Sequence, residues 1–176
     1  MIYTTYYKSS LGEILLASKD NKLIGLWIEG QKHYLSNFKE SIVENNQDDT
    51  LIKKKKWLDR YFNNEKPSIK ELPLSPIGSE FRQEVWNILR KISYGKTITY
   101  NDIAKEIAKK RGIKKMSAQA VGGAVGHNPI SIIIPCHRVV GENGNLTGYA
   151  GGLNKKIFLL KHEEVNMDIL YIPNNK

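Results

Sequence analysis

Through the first thirty residues, apolar and polar positions alternate with the period of a strand. The runs "IYTTYYKSS", "GEILLAS" and "KLIGLWIEG" are β-branched, aromatic and aliphatic, broken at Leu11-Gly12 and at Asp20-Asn21. They predict a small antiparallel meander. After residue 30 the period lengthens, and "QKHYLSNFKES" and "DTLIKKKKWLDRYFNN" read as helices. In the second, Leu51, Leu58 and Phe62 share one face and Trp57 and Tyr61 flank it, while the lysines at 53–56 are expected to form a solvated face. The three prolines of "EKPSIKELPLSPIGS" interrupt the helical pattern and place a boundary between two domains, 1–76 and 77–176.

Past that boundary the pattern stays helical. In "SEFRQEVWNILRKIS", Phe81, Val85, Ile88, Leu89 and Ile92 recur at helical spacing, with Ser79 as N-cap and Gly95 as the stop. Thr99 caps a further short helix from Tyr100 to about Lys109, turning Ile103, Ala104 and Ile107 inward. A basic connection containing Gly112 leads to another helix from Ser117 to about Gly126, and two short helices joined this way suggest a helix-turn-helix. The second helix is unusual, because Ala118, Ala120, Gly122, Gly123, Ala124 and Gly126 are all very small. Each glycine costs about 1 kcal/mol in a helix interior, so the sequence is gaining close backbone approach to something, another helix or a DNA backbone.

Charge distinguishes between those two partners. Residues 1–75 carry 12 Lys/Arg against 10 Asp/Glu, whereas residues 76–176 carry 15 against 8. The surplus behind the net charge of +9 therefore lies mostly in the second half, and six basic residues from Lys105 to Lys115 sit beside the small-residue helix. A positive field so placed attracts a polyanion. The longest apolar run, 130–135, falls far short of the roughly 20 residues of a membrane span. The start "MIYTTYYKSSLG" has neither the basic nor the apolar segment of a secretory signal, and one cysteine forms no internal disulfide. The expectation is a cytoplasmic protein with no membrane partner.

That cysteine, Cys136, lies in "PISIIIPCHRVVGENGNLTGYAGG". A lone cysteine after an apolar run is ordinarily core. Against this, Pro135 ends the strand-like "ISIII" and puts Cys136 on a turn at its exit, and His137 and Arg138 are poor company for an inert thiol. Cationic neighbours favour the reactive thiolate. Adjacency does not make a dyad, since consecutive side chains diverge, so His137 needs turn geometry or a water to reach the sulfur. It also needs an orienting partner, for which "FLLKHEEV" offers carboxylates. His33, His127, His137 and His162 show no metal-ligand spacing with Cys136, so no metal is expected. Three readings stand at this point: a nucleophile acting on DNA, a thiol hydrolase using Cys136, His137 and one of those downstream carboxylates with turnover, and a DNA-binding module whose cysteine is structural.

"IIIPCHRVVG", followed by "GNLTGYAGG", preceded by "AVGGAVGHNPI" and closed by "LLKHE", resembles the O6-alkylguanine-DNA alkyltransferases from about Ile77 to Glu163. "SSLGEILLAS" and "LIGLWIEG" suit that family's N-terminal domain less strongly. The resemblance implies a ribonuclease-H-like α/β domain, with a small antiparallel sheet plus helices, followed by a mainly α domain with a winged helix-turn-helix. It implies binding of double-stranded DNA through the minor groove by a monomer, flipping of the damaged base, and irreversible transfer of the methyl group of O6-methylguanine, with O4-methylthymine as a second candidate. No cofactor is implied. By resemblance, Cys136 is the acceptor, His137 its base through a water, Glu163 the carboxylate that orients the histidine, Asn128 the brace of the turn, and Tyr100 the donor to the leaving guanine. Pro135, Val139, Tyr149 and Ala150 line the pocket, and Thr99, Asn101, Lys114, Lys115, Ala118, Gln119, Ala120, Gly122 and Gly123 face DNA. The sequence departs from the family pattern twice. Gln119 stands where an arginine commonly replaces the flipped base, losing charge and a planar stacking surface. The N-terminal cysteines of the zinc-bearing relatives are missing.

Overall fold

The computed structural model describes residues 1–35 and 38–173. β1 (Ile2–Ser9), β2 (Gly12–Lys19) and β3 (Lys22–Ile28) form the antiparallel meander that the apolar runs predict. Asp20 and Asn21 make the β2–β3 turn at φ of 50° and 61°, the left-handed pair that matches the twist of a two-residue hairpin. The sheet is not purely antiparallel, however: β4 (Ile42–Glu44) runs parallel to β1, giving the order β3-β2-β1-β4. The helix expected over "QKHYLSNFKES" does not form on the described residues. Residues 32–35 make turns in which His33 and Leu35 have φ of 60° and 50°, values no right-handed helix accommodates, and 38–41 are irregular. Ser36 and Asn37 of that stretch lie outside the described residues.

The second helix does form, as α1 (Asp49–Phe62). Its N-cap is Asp48, whose carboxylate accepts from the Leu51 N–H at 2.9 Å. It buries Leu51, Trp57, Leu58 and Tyr61 against the sheet, and Tyr61 takes the inner place expected of Phe62. The lysine run is not uniformly solvated: Lys53 and Lys56 are exposed, but Lys54 is buried, and burial holds its pKa below the usual lysine value.

The C-terminal half is helical. α2 (Glu80–Leu89) starts where Ser79 accepts from the Arg82 N–H at 3.3 Å, and it ends before the expected Gly95, so that Ile92 is buried from the following turn. β5 (Ile98–Thr99) leads directly into α3 (Tyr100–Arg111), which opens with a reciprocal capping box between Thr99 and Asp102 and closes on Gly112 at φ 65°. The Ser117 hydroxyl then accepts from the Ala120 N–H at 3.2 Å and starts α4 (Ala118–Gly126). β6 (Val139–Val140) pairs in parallel with β5, and α5 (Leu153–His162) follows. The Trp86 indole donates to the Ala124 carbonyl at 2.9 Å and ties α2 to α4.

One buried cluster runs through both halves, from Leu16 and Leu26 of the sheet through Leu58 of α1 to Val85, Ile103 and Ile133. Ile2, Leu15, Ala17, Ile24 and Trp27 form a second on the opposite sheet face, so the sheet is covered on both sides. The sheet also reaches the cysteine segment directly: the Leu26 N–H donates to Pro129 O at 2.8 Å, and the Ser131 N–H donates to Leu26 O at 3.0 Å. Among the described residues no helix is long and apolar enough to cross a membrane.

Candidate active site

The β-branched run before the cysteine is not a strand. Ile130 bridges Leu26 at a single position, and the chain then folds on itself. Ile132 sits at φ 68°, a conformation in which a β-branched side chain crowds its own backbone. The Ile133 N–H donates to Ser131 O at 2.8 Å, the Ile134 N–H to Ile130 O at 3.1 Å, and the Cys136 N–H to Ile134 O at 2.8 Å. What outweighs strand propensity is Asn128, buried beneath the turn. Its side-chain oxygen accepts from the Ile130 N–H at 3.0 Å, and its amide donates to Ile130 O at 3.3 Å and Ile134 O at 2.8 Å. Pro135 then delivers Cys136, His137 and Arg138 into one tight 3₁₀ turn, all three buried.

That turn gives the histidine its partner. His137 points its Nε2 at Glu163 Oε2, just past the end of α5, while Nδ1 is buried with no protein hydrogen-bond partner among the described residues. A ring donating from Nε2 to a carboxylate leaves Nδ1 as its lone-pair atom, and hence as the basic one. Glu163 is shared: Arg138 Nε donates to Oε1 at 2.6 Å, and the Tyr61 hydroxyl donates to Oε2 at 2.7 Å. Burial alone would raise the Glu163 carboxyl pKa, but His137 and Arg138 together hold it far below the carboxylate range. Burial keeps His137 below its ordinary pKa despite that carboxylate, so it rests as a neutral base.

Burial likewise pushes the Cys136 thiol up, and the amide of Asn128 and the charge of Lys156 pull against it without prevailing. The thiol is therefore protonated at rest and needs a base. Lys156, absent from the sequence reading, is fully buried on α5. Its Nζ donates to Val139 O at 2.6 Å and to Thr147 O and Gly148 O at 3.2 Å each, clasping the 147–150 loop to β6. Burial lowers its pKa to about 8, with the nearby thiol opposing, so it is largely cationic near neutrality. A buried, hydrogen-bonded lysine looks in sequence like any surface lysine, and only its place on the inner side of α5 distinguishes it. Tyr100 donates weakly to the same loop carbonyls, at 3.3 Å each, and burial raises its hydroxyl pKa to about 12. The Tyr149 hydroxyl is held well above its ordinary pKa, by burial first and then by the neighbouring Cys136, and it has no hydrogen-bond partner among the described residues.

Cys136 lines a cavity of about 190 Å³ together with Tyr100, Gly122, Val125, Gly148, Tyr149 and Ala150, and with Lys32 and His33 from the N-terminal half. Of the four residues expected around it, Tyr149 and Ala150 do line it, whereas Val139 and Pro135 are buried outside its wall. A larger, more open hollow of about 670 Å³ adjoins it, sharing Tyr100, Gly122 and Gly148 and adding Asn101, Ala118, Gln119 and Glu142. Asn101 is committed there to Glu142 Oε1 at 2.7 Å, and the Thr99 hydroxyl to capping α3. Lys114, Lys115, Ala118, Gln119, Ala120 and Gly123 are all exposed on or just before α4. A Cβ placed on Gly123 or Gly126 would meet nothing within 4 Å, so tight packing inside this chain does not account for those two glycines.

Comparison with known proteins gives a consistent picture. A family model described as "6-O-methylguanine DNA methyltransferase, ribonuclease-like domain" matches residues 2–76, and its companion, the "DNA binding domain" of the same methyltransferase, matches 80–165. A methylated-DNA--protein-cysteine methyltransferase of Haemophilus influenzae is 40% identical over 166 residues, 93% of this chain and 87% of that protein. One from Methanosarcina acetivorans is 42% identical over 163 residues, 92% of this chain and 98% of its own. Among solved structures, Mycobacterium tuberculosis OGT in complex with DNA superposes with a TM-score of 0.77 at 35% identity, covering 93% of this chain and 92% of that one.

Proposed function

Because the chain belongs to the 6-O-methylguanine DNA methyltransferase family, its activity is alkyl-transfer repair of DNA, and we propose that Cys136 accepts the alkyl group from a guanine flipped into the 190 Å³ cavity. One observation carries this reading: the chain's single cysteine lines that cavity with a buried, neutral histidine and its carboxylate immediately behind it. The thiol proton passes to His137 Nδ1 through a water, and sulfur attacks the alkyl carbon in line with the breaking bond to O6. The bonding pair leaves with the oxygen, and the base regains a proton to depart as guanine. Tyr100, kept protonated by burial, donates to the ring as that charge develops. Glu163 stabilises the imidazolium, and Asn128 holds the turn. The product is a thioether, so each molecule reacts once, and no cofactor is called for.

The DNA side of the reading rests on α3 and α4 as a helix-turn-helix, with the β5–β6 pair beside it as the base of a wing. α4 enters the minor groove, where its small residues bring the backbone close, Gln119 wedges into the stack, and Lys114 and Lys115 meet phosphates. The adjoining hollow receives the strand that carries the lesion. The reading takes 1–76 and 77–176 as the two domains of a cytoplasmic monomer.

Incubation with duplex DNA containing O6-methylguanine, followed by intact-protein mass spectrometry, tests the proposal. A gain of one methyl group, localised to Cys136 and absent from Cys136→Ala, is the expected result. Catalytic turnover without an adduct would return the hydrolase reading, and binding without an adduct would return a purely structural thiol. A duplex bearing O4-methylthymine in the same assay decides whether that lesion is also a substrate.

A further inference from the structure

Glu163 collects donors from three separate parts of the chain. Arg138 and, at 3.5 Å, the Gly95 N–H reach Oε1, while His137 and Tyr61 reach Oε2. Tyr61 comes from the last turn of α1, in the N-terminal half, 102 residues before the carboxylate it binds. Its placement leaves no freedom to choose another partner. The ring is buried at 1% exposure and stacks on Trp57 with centroids 5.7 Å apart and planes at 9°. The Tyr61 carbonyl accepts from His162 Nε2 at 2.8 Å, fixing the end of α1 against the end of α5.

The oxygen that Tyr61 occupies is the informative detail. A donor on Oε2 withdraws charge from the same atom that receives His137 Nε2–H, and it fixes where the remaining lone-pair density points. We propose that Tyr61 is a positioning residue for alkyl transfer: through Glu163, the N-terminal domain sets how strongly His137 holds the proton it takes from Cys136. This rests on the reading of His137 as the base for the thiol.

The charged and titratable groups around the pair are few. Glu163, Arg138 and Lys156 act on His137, and Glu163, Arg138, Tyr94 and the His162 ring face Tyr61. Glu163 is the group that hydrogen-bonds to both side chains. The Tyr61 hydroxyl is held well above its ordinary pKa, by burial first and then by Glu163, so it stays a donor across the working range.

Because Cys136 is the chain's only cysteine, alkylation by iodoacetamide reads this one thiol directly. The rate is measured from pH 5 to 9 alongside single-turnover repair of an O6-methylguanine duplex. Tyr61→Phe keeps the ring and removes one donor from Glu163, so the carboxylate pulls harder on the imidazole and His137 becomes more basic. The acid limb of both profiles then moves up by roughly half a unit to one unit, a roughly three- to tenfold loss on the acid side, with duplex affinity unchanged. In a Glu163→Gln background Tyr61→Phe shifts the limb no further. Site-specific 3-fluorotyrosine at position 61, which retains the packing and donates more strongly, moves the limb the opposite way and serves even if the phenylalanine variant folds poorly. Superimposable profiles overturn the inference, as does an equal loss at every pH accompanied by a lower melting temperature, which marks a packing role. His137→Gln is the control: if the acid limb survives there, His137 is not the base, and the failure belongs to the underlying reading.

Discussion

The two surfaces that meet at the cavity are constructed in opposite ways. Behind the thiol the polar groups are buried and largely matched: Glu163 takes Arg138, His137 and Tyr61, Lys156 takes three carbonyls, and Asn128 closes the turn with three bonds of its own. On α4 the reverse holds. Ala118, Gln119, Ala120 and Gly123 are exposed, and two glycines face open space. The chemistry is thus preorganised by the chain itself, as a buried network requires. The α4 surface, on the proposed reading the DNA face, is left open. Substitutions behind the thiol should therefore impair reaction with any electrophile, and those on α4 only reaction with duplex.

The largest expected effect lies behind the thiol. His137→Gln slows single-turnover repair by about 10²- to 10⁴-fold, the usual worth of a general base, and slows iodoacetamide alkylation with it. Loss of duplex repair alone would place His137 on the DNA side of the comparison instead. Asn128→Ala comes next. It strips three buried bonds from the turn and leaves buried backbone groups unpaired, and should cost about 2–4 kcal/mol in denaturant unfolding. A variant of unchanged stability would show that the turn holds without its brace.

Acid should weaken the buried side next. His137 is held below its ordinary 6.5 by burial, and Glu163 below its ordinary 4.5 because His137 and Arg138 outweigh the burial that opposes them. Both bind protons less readily folded than unfolded, so their stability is complete above pH 6.5 and is lost on acidification. The loss starts below 6.5 with His137 and deepens below 4.5 with Glu163. Melting temperature against pH checks this, and His137→Gln should flatten the upper part of the fall.

Gly123→Ala offers the sharpest contrast. A methyl group there meets nothing within 4 Å, and alanine should stabilise the helix by about 1 kcal/mol while weakening duplex binding. A gain in stability with unchanged affinity would remove Gly123 from the DNA face. The smallest effect belongs to Gln119→Ala, which should slow repair in duplex a few-fold and leave iodoacetamide alkylation alone. If both rate and affinity are untouched, the proposed wedge role of Gln119 is wrong.

What could be read from the sequence was what is decided locally. The meander, its Asp20-Asn21 turn, and the caps at Ser79 and Thr99 each depend on a few adjacent residues, and all of them formed. Cys136 and His137 were singled out by residue chemistry, Asn128 and Glu163 through the family resemblance, and the structure brings all four to one place. The failures share a cause. "ISIII" has the side chains of a strand, but a buried asparagine two residues upstream bends it into a turn. Lys54 and Lys156 carry the charge of surface residues, yet packing takes them inside. Tyr61 reads as a flanking aromatic of α1, and nothing near it in the chain indicates a carboxylate 102 residues away. Long-range contact is what local pattern leaves unspecified.

That last separation has a consequence for how the protein comes into being. During synthesis Cys136 and His137 are added before residue 163, and the carboxylate that meets Tyr61 and His137 follows the histidine by 26 residues. A nascent chain folding from its N-terminus can form the sheet and α1 early, but the closure that joins α1 to Glu163 spans most of its length and is correspondingly late. On the reading of His137 as the base and Glu163 as its partner, a chain that stops short of Glu163 carries Cys136 without that activation.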